Sequence, residues 1–182
     1  MAVTLAALSA SVAVLFLSNV LWLQVANAVV FALVTTQLSF LGHDLCHNQV
    51  FARPVTNFRF GLAFVPVVGL SPSWWREKHN RHHAEPNDVE HDPDVNFPML
   101  AFSEPQAASK GRIARWFVRY QAFLVVPLLF FEGLNMKLHS ALYLVGSKCR
   151  SRARWLELAL VVLHPLLLST VLLLALPFSH AV

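Results

Sequence analysis

Charged side chains are almost missing from the start of this chain. The first 43 residues contain none; Asp44 is the first acidic residue and Arg53 the first basic one. A secretory signal peptide carries Lys or Arg ahead of its apolar run, so we expect the N-terminal apolar segment to be retained in the membrane. Over the 182 residues only 13% are charged and 56% are hydrophobic, and the mean hydropathy is +0.53. These values exclude an ordinary soluble domain.

Cysteine and glycine are also scarce. Cys46 and Cys149 make no disulfide framework, because one lies inside a histidine cluster and the other in a basic loop. The six glycines form no adjacent pair and no GxGxxG motif, so the sequence encodes no recognisable nicotinamide-binding loop. The net charge of +4 comes from loops that flank apolar segments, a pattern that suits a membrane surface better than nucleic acid. We expect no nucleic-acid partner.

Long apolar runs are what the sequence does have. Residues 3–41 are apolar for about twice the ~20 residues that cross a bilayer, and the polar pair at 18–19 predicts a hairpin with arms 3–17 and 21–40. Further runs cover 120–145 and 155–178. The run 60–70 contains Pro66 and is too short to cross, so it should dip into the interface. The prediction is one all-α membrane domain over 1–182 with about four spans: a hairpin at 1–41, a histidine-rich region at 42–119 and membrane helices at 120–178.

Basic residues indicate the orientation of this bundle. Nine Lys and Arg lie between Arg53 and Arg119, so the positive-inside rule places region 42–119 in the cytoplasm. If the runs 120–145 and 155–178 both cross the membrane, the four basic residues between them, at 148–154, would lie outside. The run 120–145 is also interrupted by polar residues: Glu132, Asn135, Lys137 and His139.

Two histidine clusters border the apolar runs, HDLCH at 43–47 and HNRHH at 79–83. Residues three or four apart lie on one face of a helix, so the histidines of each cluster can point together. Imidazole binds iron, copper and zinc. The two clusters, 31 residues apart and each beside an apolar run, indicate a membrane-proximal metal site more than isolated interfacial histidines. The candidate ligands are His43, His47, His79, His82 and His83.

Other residues near the clusters have weaker claims. Asp44 can orient an imidazole from outside the ligand set or form a hydrogen bond at a helix end, and the sequence favours neither. Cys46 is expected to be a small packing residue, not a ligand. The remaining histidines lack the cluster spacing and are not assigned as ligands: His91, His139, His164 and His180.

The segments GHDLCHNQVF, WWREKHNRHHAEPN and HDPDV resemble the first two histidine boxes of membrane fatty-acid desaturases, closest to the acyl-lipid, front-end type. The resemblance covers residues 37–97. It implies a bundle of four membrane helices capped by a cytosolic region with two irons, held in part by the five histidines named above. It also implies the function: use of dioxygen to remove two hydrogens from neighbouring methylenes of an acyl chain in lipid metabolism.

The same resemblance implies partners. Electrons must come from an external donor such as ferredoxin or cytochrome b5, and the substrate is an acyl chain or membrane lipid. The HPGG motif of a fused cytochrome b5 domain is not found in these residues.

The third histidine box of the family, HxxHH or QxxHH, is not found either. Two irons need about ten ligand positions and the two clusters offer five, so we expect the domain to be C-terminally incomplete. Three alternatives stay open: an alkane or carotenoid hydroxylase of the same superfamily, a non-catalytic membrane protein that binds one metal or none, and a membrane zinc hydrolase with a carboxylate base.

Overall fold

The computed structural model of the chain describes residues 1–176. His180 and the end of the apolar run 155–178 lie outside the described residues. Eight α-helices and no strand occur in the described part: α1 (Ala2–Leu17), α2 (Leu21–Cys46), α3 (Pro54–Val68), α4 (Pro72–Ala84), α5 (Glu104–Ser109), α6 (Arg112–Arg119), α7 (Gln121–Val145) and α8 (Arg154–Ala175).

Helices α1 and α2 form an antiparallel hairpin that is joined by buried polar side chains. Asn27 of α2 donates its amide N–H to the carbonyl of Ser11 on α1 at 3.0 Å, and the Ser11 hydroxyl donates to Asn27 Oδ1 at 2.7 Å. Gln24 donates to the Val14 carbonyl near the turn at 3.2 Å. Between two apolar helices, such mutually satisfied polar groups fix the register, because each would otherwise be buried without a partner.

Helix α2 extends further than the sequence pattern predicted. The second arm of the hairpin was expected to end at residue 40, but the helix continues to Cys46 and carries His43 in its last turn, with His47 as its C-terminal cap. The continuation is stabilised by packing, because Leu38 and Leu45 are buried against Phe64 of α3. The helix ends before Asn48, which adopts a left-handed φ of 59°.

Helices α3 and α4 form a sharp reversal. Gly69 ends α3 with a φ of +80°, and a Cβ atom there would lie 2.6 Å from Cδ2 of His164 on α8. Only glycine fits such a position without strain. Ser71 then caps α4, its hydroxyl accepting from Trp74 N–H at 3.1 Å. The chain therefore enters the bundle along α3, where it packs on α2 and α8, and returns along α4 towards the end of α2.

Within residues 1–176, three helices are long and apolar enough to cross a membrane: α2, α7 and α8; α1 and α3 are shorter apolar helices. A small core lies between α3, α7 and α8, around Val65, Leu144 and Val161. Large apolar side chains elsewhere remain exposed, such as Phe130 of α7 at 82%. The prediction of an all-α membrane protein is confirmed. The predicted run 120–145 forms one continuous helix despite its polar interruptions.

Candidate metal site

Four histidines from the two clusters meet where α2 ends and α4 passes it. One ring nitrogen from each lies within 4.8 Å of all the others, in the group His43, His47, His79 and His83. The Nε2 atoms of His43 and His79 are 2.8 Å apart, and those of His79 and His83 are 3.0 Å apart. Nitrogens that share one metal ion at about 2.1 Å lie roughly 3 Å from each other, so this spacing is compatible with a common ion.

Neighbouring groups already orient part of this four-histidine group. His43 Nδ1 lies 3.2 Å from a carboxylate oxygen of Asp44, and Trp75 stacks on the His79 ring with 5.0 Å between centroids. His47 Nε2 is buried and has no hydrogen-bond partner among the described residues. Because buried polar atoms nearly always have a partner, this orphaned nitrogen indicates that a further group belongs in the site.

The environment keeps two of these rings neutral, the form that binds a metal. Burial, followed by the charges of His43, His83 and His47, lowers the pKa of His79 from 6.5 to about 4. Burial, followed by the His43 and His83 rings, also lowers the pKa of His47. The same closeness of the rings that disfavours a charged His47 or His79 suits a divalent cation, which imidazole nitrogens bind.

His82 lies in a second group beside the first. Its Nδ1 donates to Asp92 at 2.9 Å and lies 3.5 Å from Asp94, while its ring centroid is 5.7 Å from that of His83. The structure therefore brings four of the five candidate ligands together and places His82 next to them. With Nδ1 donating to a carboxylate, the tautomer leaves Nε2 unprotonated and able to bind a metal.

Asp92 is the partner of His82 that the sequence did not reveal. It is fully buried and accepts from His82 and from the backbone N–H groups of Asn87 (2.7 Å) and Asp94 (2.8 Å). Burial acts to raise its pKa, but these hydrogen bonds outweigh it and hold the pKa below the usual value. The sequence places Asp92 in the HDPDV segment, but no feature of the acidic stretch 85–94 predicts that this carboxylate is buried.

The weaker candidates lie outside both groups. Cys46 Sγ lies 3.8 Å from the Pro72 carbonyl, and neither cysteine is in a disulfide. His91 is exposed and pairs with Glu85 at 3.1 Å. His164 Nδ1 donates to the Pro66 carbonyl at 3.0 Å.

Comparison with known proteins decides the family. The model of the family "Fatty acid desaturase" matches residues 20–182. The chain belongs to the fatty acid desaturase family. The resemblance inferred from the two histidine boxes is therefore confirmed at the level of the family.

Named relatives of this desaturase-family chain include a Delta(8)-fatty-acid desaturase of Helianthus annuus, 32% identical over 78% of the chain and 34% of the relative. An acyl-lipid (9-3)-desaturase of Physcomitrium patens is 32% identical over 86% of the chain and 31% of the relative. A Delta(8)-fatty-acid desaturase of Euglena gracilis is 36% identical over 57% of the chain and 26% of the relative. The chain thus spans about a third of the length of these curated relatives. No solved structure matches the chain significantly.

An apolar cavity of about 320 Å³ opens beside the histidines of this desaturase-family chain. His43 and Trp75 line it, together with Phe64, Val65 and Val68 of α3. Its volume lies at the lower end of the roughly 300–1,000 Å³ typical of small-molecule sites. The site therefore combines imidazole nitrogens that could hold a metal with an adjoining, largely apolar space.

Proposed function

We propose that the protein takes part in the iron- and oxygen-dependent desaturation of a fatty acyl chain in lipid metabolism. The observation that carries the proposal is the convergence of four histidines from the two boxes within 4.8 Å. It is supported by family membership and by relatives named fatty-acid desaturases. Because the chain spans about a third of those relatives, the activity, the substrate and the partners are proposed for the whole protein.

The residues present fit iron. Neutral imidazoles suit it, and the partnerless His47 Nε2 offers a free lone pair. His43, His47, His79 and His83 would hold one ion, and His82, oriented by Asp92, is the proposed ligand of the second iron of a di-iron site. When bound, iron would supply the oxidising centre that an unactivated C–H bond requires, with dioxygen as co-substrate.

The protein's own contribution is to place the substrate and keep water away. The apolar wall of the cavity would bind methylene groups, since burial of each is worth about 0.8 kcal/mol. His43 and Trp75 lie at the boundary between this wall and the histidines, so a chain in the cavity would present its side to the site. Filling the cavity would also exclude water from the ligands.

The electron donor is external in this proposal, with ferredoxin or cytochrome b5 as the candidate classes. The exposed carboxylates of Glu85 and Asp88, which surround His91 just beyond α4, form an acidic surface close to the second histidine box. We place the contact with a basic patch of the donor there. Electrostatic complementarity of this kind accelerates encounter more than it strengthens binding.

The histidine boxes face the cytoplasm in our proposal, and the basic loop 148–154 lies on the same side. Two contacts support this arrangement: Tyr143, near the end of α7, donates to Glu77 of α4 at 2.6 Å, and Ser71 N–H donates to Ser140 of α7 at 2.8 Å. Arg150 and Arg152 line a groove with α4.

At the N-terminal end of α7, Gln121 is bonded to Ala101 of the polar loop. A helix with both ends at the histidine side lies along the interface, which removes the conflict with the positive-inside rule.

Labelling tests this topology. In a background with both natural cysteines changed to Ser, Asn87→Cys and Ser147→Cys should react with an impermeant maleimide from the same side, and Asn19→Cys in the α1–α2 turn from the opposite side. Labelling of Ser147→Cys together with Asn19→Cys would show instead that α7 crosses.

A membrane protein that binds a single metal without catalysis is the second candidate. It is favoured by one observation: His82 bonds to carboxylates and lies outside the four-histidine group. Four ligands complete one ion, whereas a di-iron site needs about ten ligand positions.

Iron content and product analysis separate these functions. The full chain, purified from membranes, should bind iron, and His47→Ala should abolish binding at the four-histidine group, whereas His139→Ala outside it should not. Two irons per chain and a new acyl double bond support desaturation; an alcohol product indicates a hydroxylase. One iron and no product would favour the second candidate, and full loading of His47→Ala would refute the site.

A further inference from the structure

Glu157 is a fully buried carboxylate in the first turn of α8, outside the site described above. Its two oxygens accept four hydrogen bonds. One oxygen accepts from Ser73 N–H at 3.1 Å and from the Ser71 hydroxyl; the other accepts from the hydroxyls of Ser73 at 2.7 Å and Ser151 at 2.6 Å. A buried carboxylate is costly unless it is fully bonded, so this arrangement holds the bonded segments together.

Two of the bonded serines, Ser71 and Ser73, lie at the N-terminus of the helix that carries the second histidine box. Ser71 caps α4, and its own N–H donates to Ser140 of α7 at 2.8 Å. Ser73 is the second residue of the helix. The start of α4 is therefore tied to α7 and α8 at one point. A negative charge at a helix N-terminus is also favoured by the helix dipole.

Beyond this point, the described contacts of α4 come from exposed or half-buried side chains: Glu77 accepts from Tyr143 at 2.6 Å, Lys78 pairs with Asp94, and His82 bonds to Asp92. The buried residues of α4 are Pro72, Ser73 and Trp74, all in the first turn. His79 and His83 lie about 12–18 Å from Ser71 along the axis at 1.5 Å per residue. A tilt of roughly 5° about the N-terminus would move their rings by about 1 Å, whereas metal–ligand distances are held to within about 0.2 Å.

We propose that Glu157 is a positioning residue for the four-histidine group: by fixing the N-terminus of α4 it determines where His79 and His83 lie relative to His43 and His47. The inference rests on the proposed metal site. It links α8, the last described helix, to the histidines at the end of α2 through the start of α4.

Three variants of the full chain, purified in detergent, test it with Co²⁺ as the probe metal. Glu157→Leu removes all four hydrogen bonds. Glu157→Gln can keep them, because its oxygen accepts from Ser73 N–H and its amide donates to hydroxyls that rotate to accept. Val161→Ala is the matched control, since it removes buried volume from α8 in the α3–α7–α8 core, a cluster whose described members include no residue of α4. Ser151→Ala, which deletes a single donor outside α4, serves if Glu157→Leu fails to fold.

Two readouts are measured: Co²⁺ affinity with its visible absorption spectrum, and amide hydrogen exchange of residues 71–84. Glu157→Leu should lower the Co²⁺ affinity about 10–100-fold, the usual effect of removing a residue that orients a metal ligand without binding the metal itself. Its Co²⁺ spectrum should change, and the α4 amides should exchange faster. Ser151→Ala should show the same changes to a smaller extent. Glu157→Gln and Val161→Ala should keep the wild-type spectrum.

The outcomes are distinct. Wild-type affinity and spectrum in Glu157→Leu would overturn the positioning role while the metal site stands, and so would an equal loss in Val161→Ala, which would mark a general stability effect. A wild-type chain that binds no Co²⁺ would refute the metal site and the positioning role with it. Unchanged exchange in α4 would refute the anchor independently of any metal.

Discussion

Removing the Asp92 carboxylate should let the His82 ring rotate and should destabilise the loop that follows α4. The Asp92→Ala variant loses three charge-assisted hydrogen bonds, from His82 at 2.9 Å, Asn87 N–H at 2.7 Å and Asp94 N–H at 2.8 Å. At about 1.5–3 kcal/mol each they sum to an upper limit of roughly 4–9 kcal/mol. Water can reach the two backbone donors, because Asn87 is exposed and Asp94 half-buried. We therefore expect a loss of about 2–4 kcal/mol in the free energy of unfolding.

The matched control is Asp88→Ala in the same loop. Asp88 also accepts from two backbone N–H groups, those of Glu90 and His91 at 2.8 Å, but it is exposed, so its replacement should destabilise the protein far less than Asp92→Ala does. Thermal unfolding in detergent measures the difference, and Co²⁺ titration measures whether His82 contributes to metal binding. Equal unfolding curves for the two variants would refute the reasoning, because burial is the property that distinguishes them.

Three further predictions concern the frame of the site. Asn27→Ala should lower the free energy of unfolding by about 1–3 kcal/mol through the lost α1–α2 hydrogen bonds, whereas the exposed Asn19→Ala should change it by less than about 0.5 kcal/mol; equal effects would contradict the hairpin contact. Gly69→Ala should destabilise by at least about 1–2 kcal/mol, because alanine must adopt a φ of +80° and its Cβ meets an imidazole, and Gly111→Ala, with open space around it, should be nearly silent. Metal-free protein should lose stability as the pH falls from about 6.5 towards 4, because the His79 pKa is 6.5 in the unfolded chain and about 4 in the folded protein. Melting curves at pH 7, 6 and 5 test this. A pH profile that His79→Gln leaves unchanged would count against it.

The alignment of the histidines within each cluster could be predicted from the sequence because it rests on local geometry. Residues four apart on a helix differ by about 40° around the axis, so His43 lies near His47 and His79 near His83. His82 and His83 differ by about 100°, so their rings point in different directions. The meeting of the two clusters and the surroundings of His82 depend on the reversal between α3 and α4 and on the loop beyond α4, which helical spacing does not predict.

Tertiary packing decides the features that the sequence pattern did not reveal. The extension of α2 to Cys46 depends on contacts with α3, which no local propensity encodes. The role of Glu157 was equally invisible, because a single acidic residue at the start of an apolar run is ordinarily a helix-end charge. Two of its serine partners, Ser71 and Ser73, lie more than 80 positions away in the chain.

The reversal at Gly69 has a consequence for how the protein is made. Helix α3, with 15 residues and an internal proline, is too short to be recognised as a membrane span during synthesis, and its apolar surface is covered by α2 and α8. α8 is the last described helix to be synthesised, so the contacts of α3 with α8, and the bonds from Glu157 to the start of α4, can form only after the rest of the described chain has left the ribosome. We therefore expect the two histidine boxes to reach their final separation only after α8 has been made.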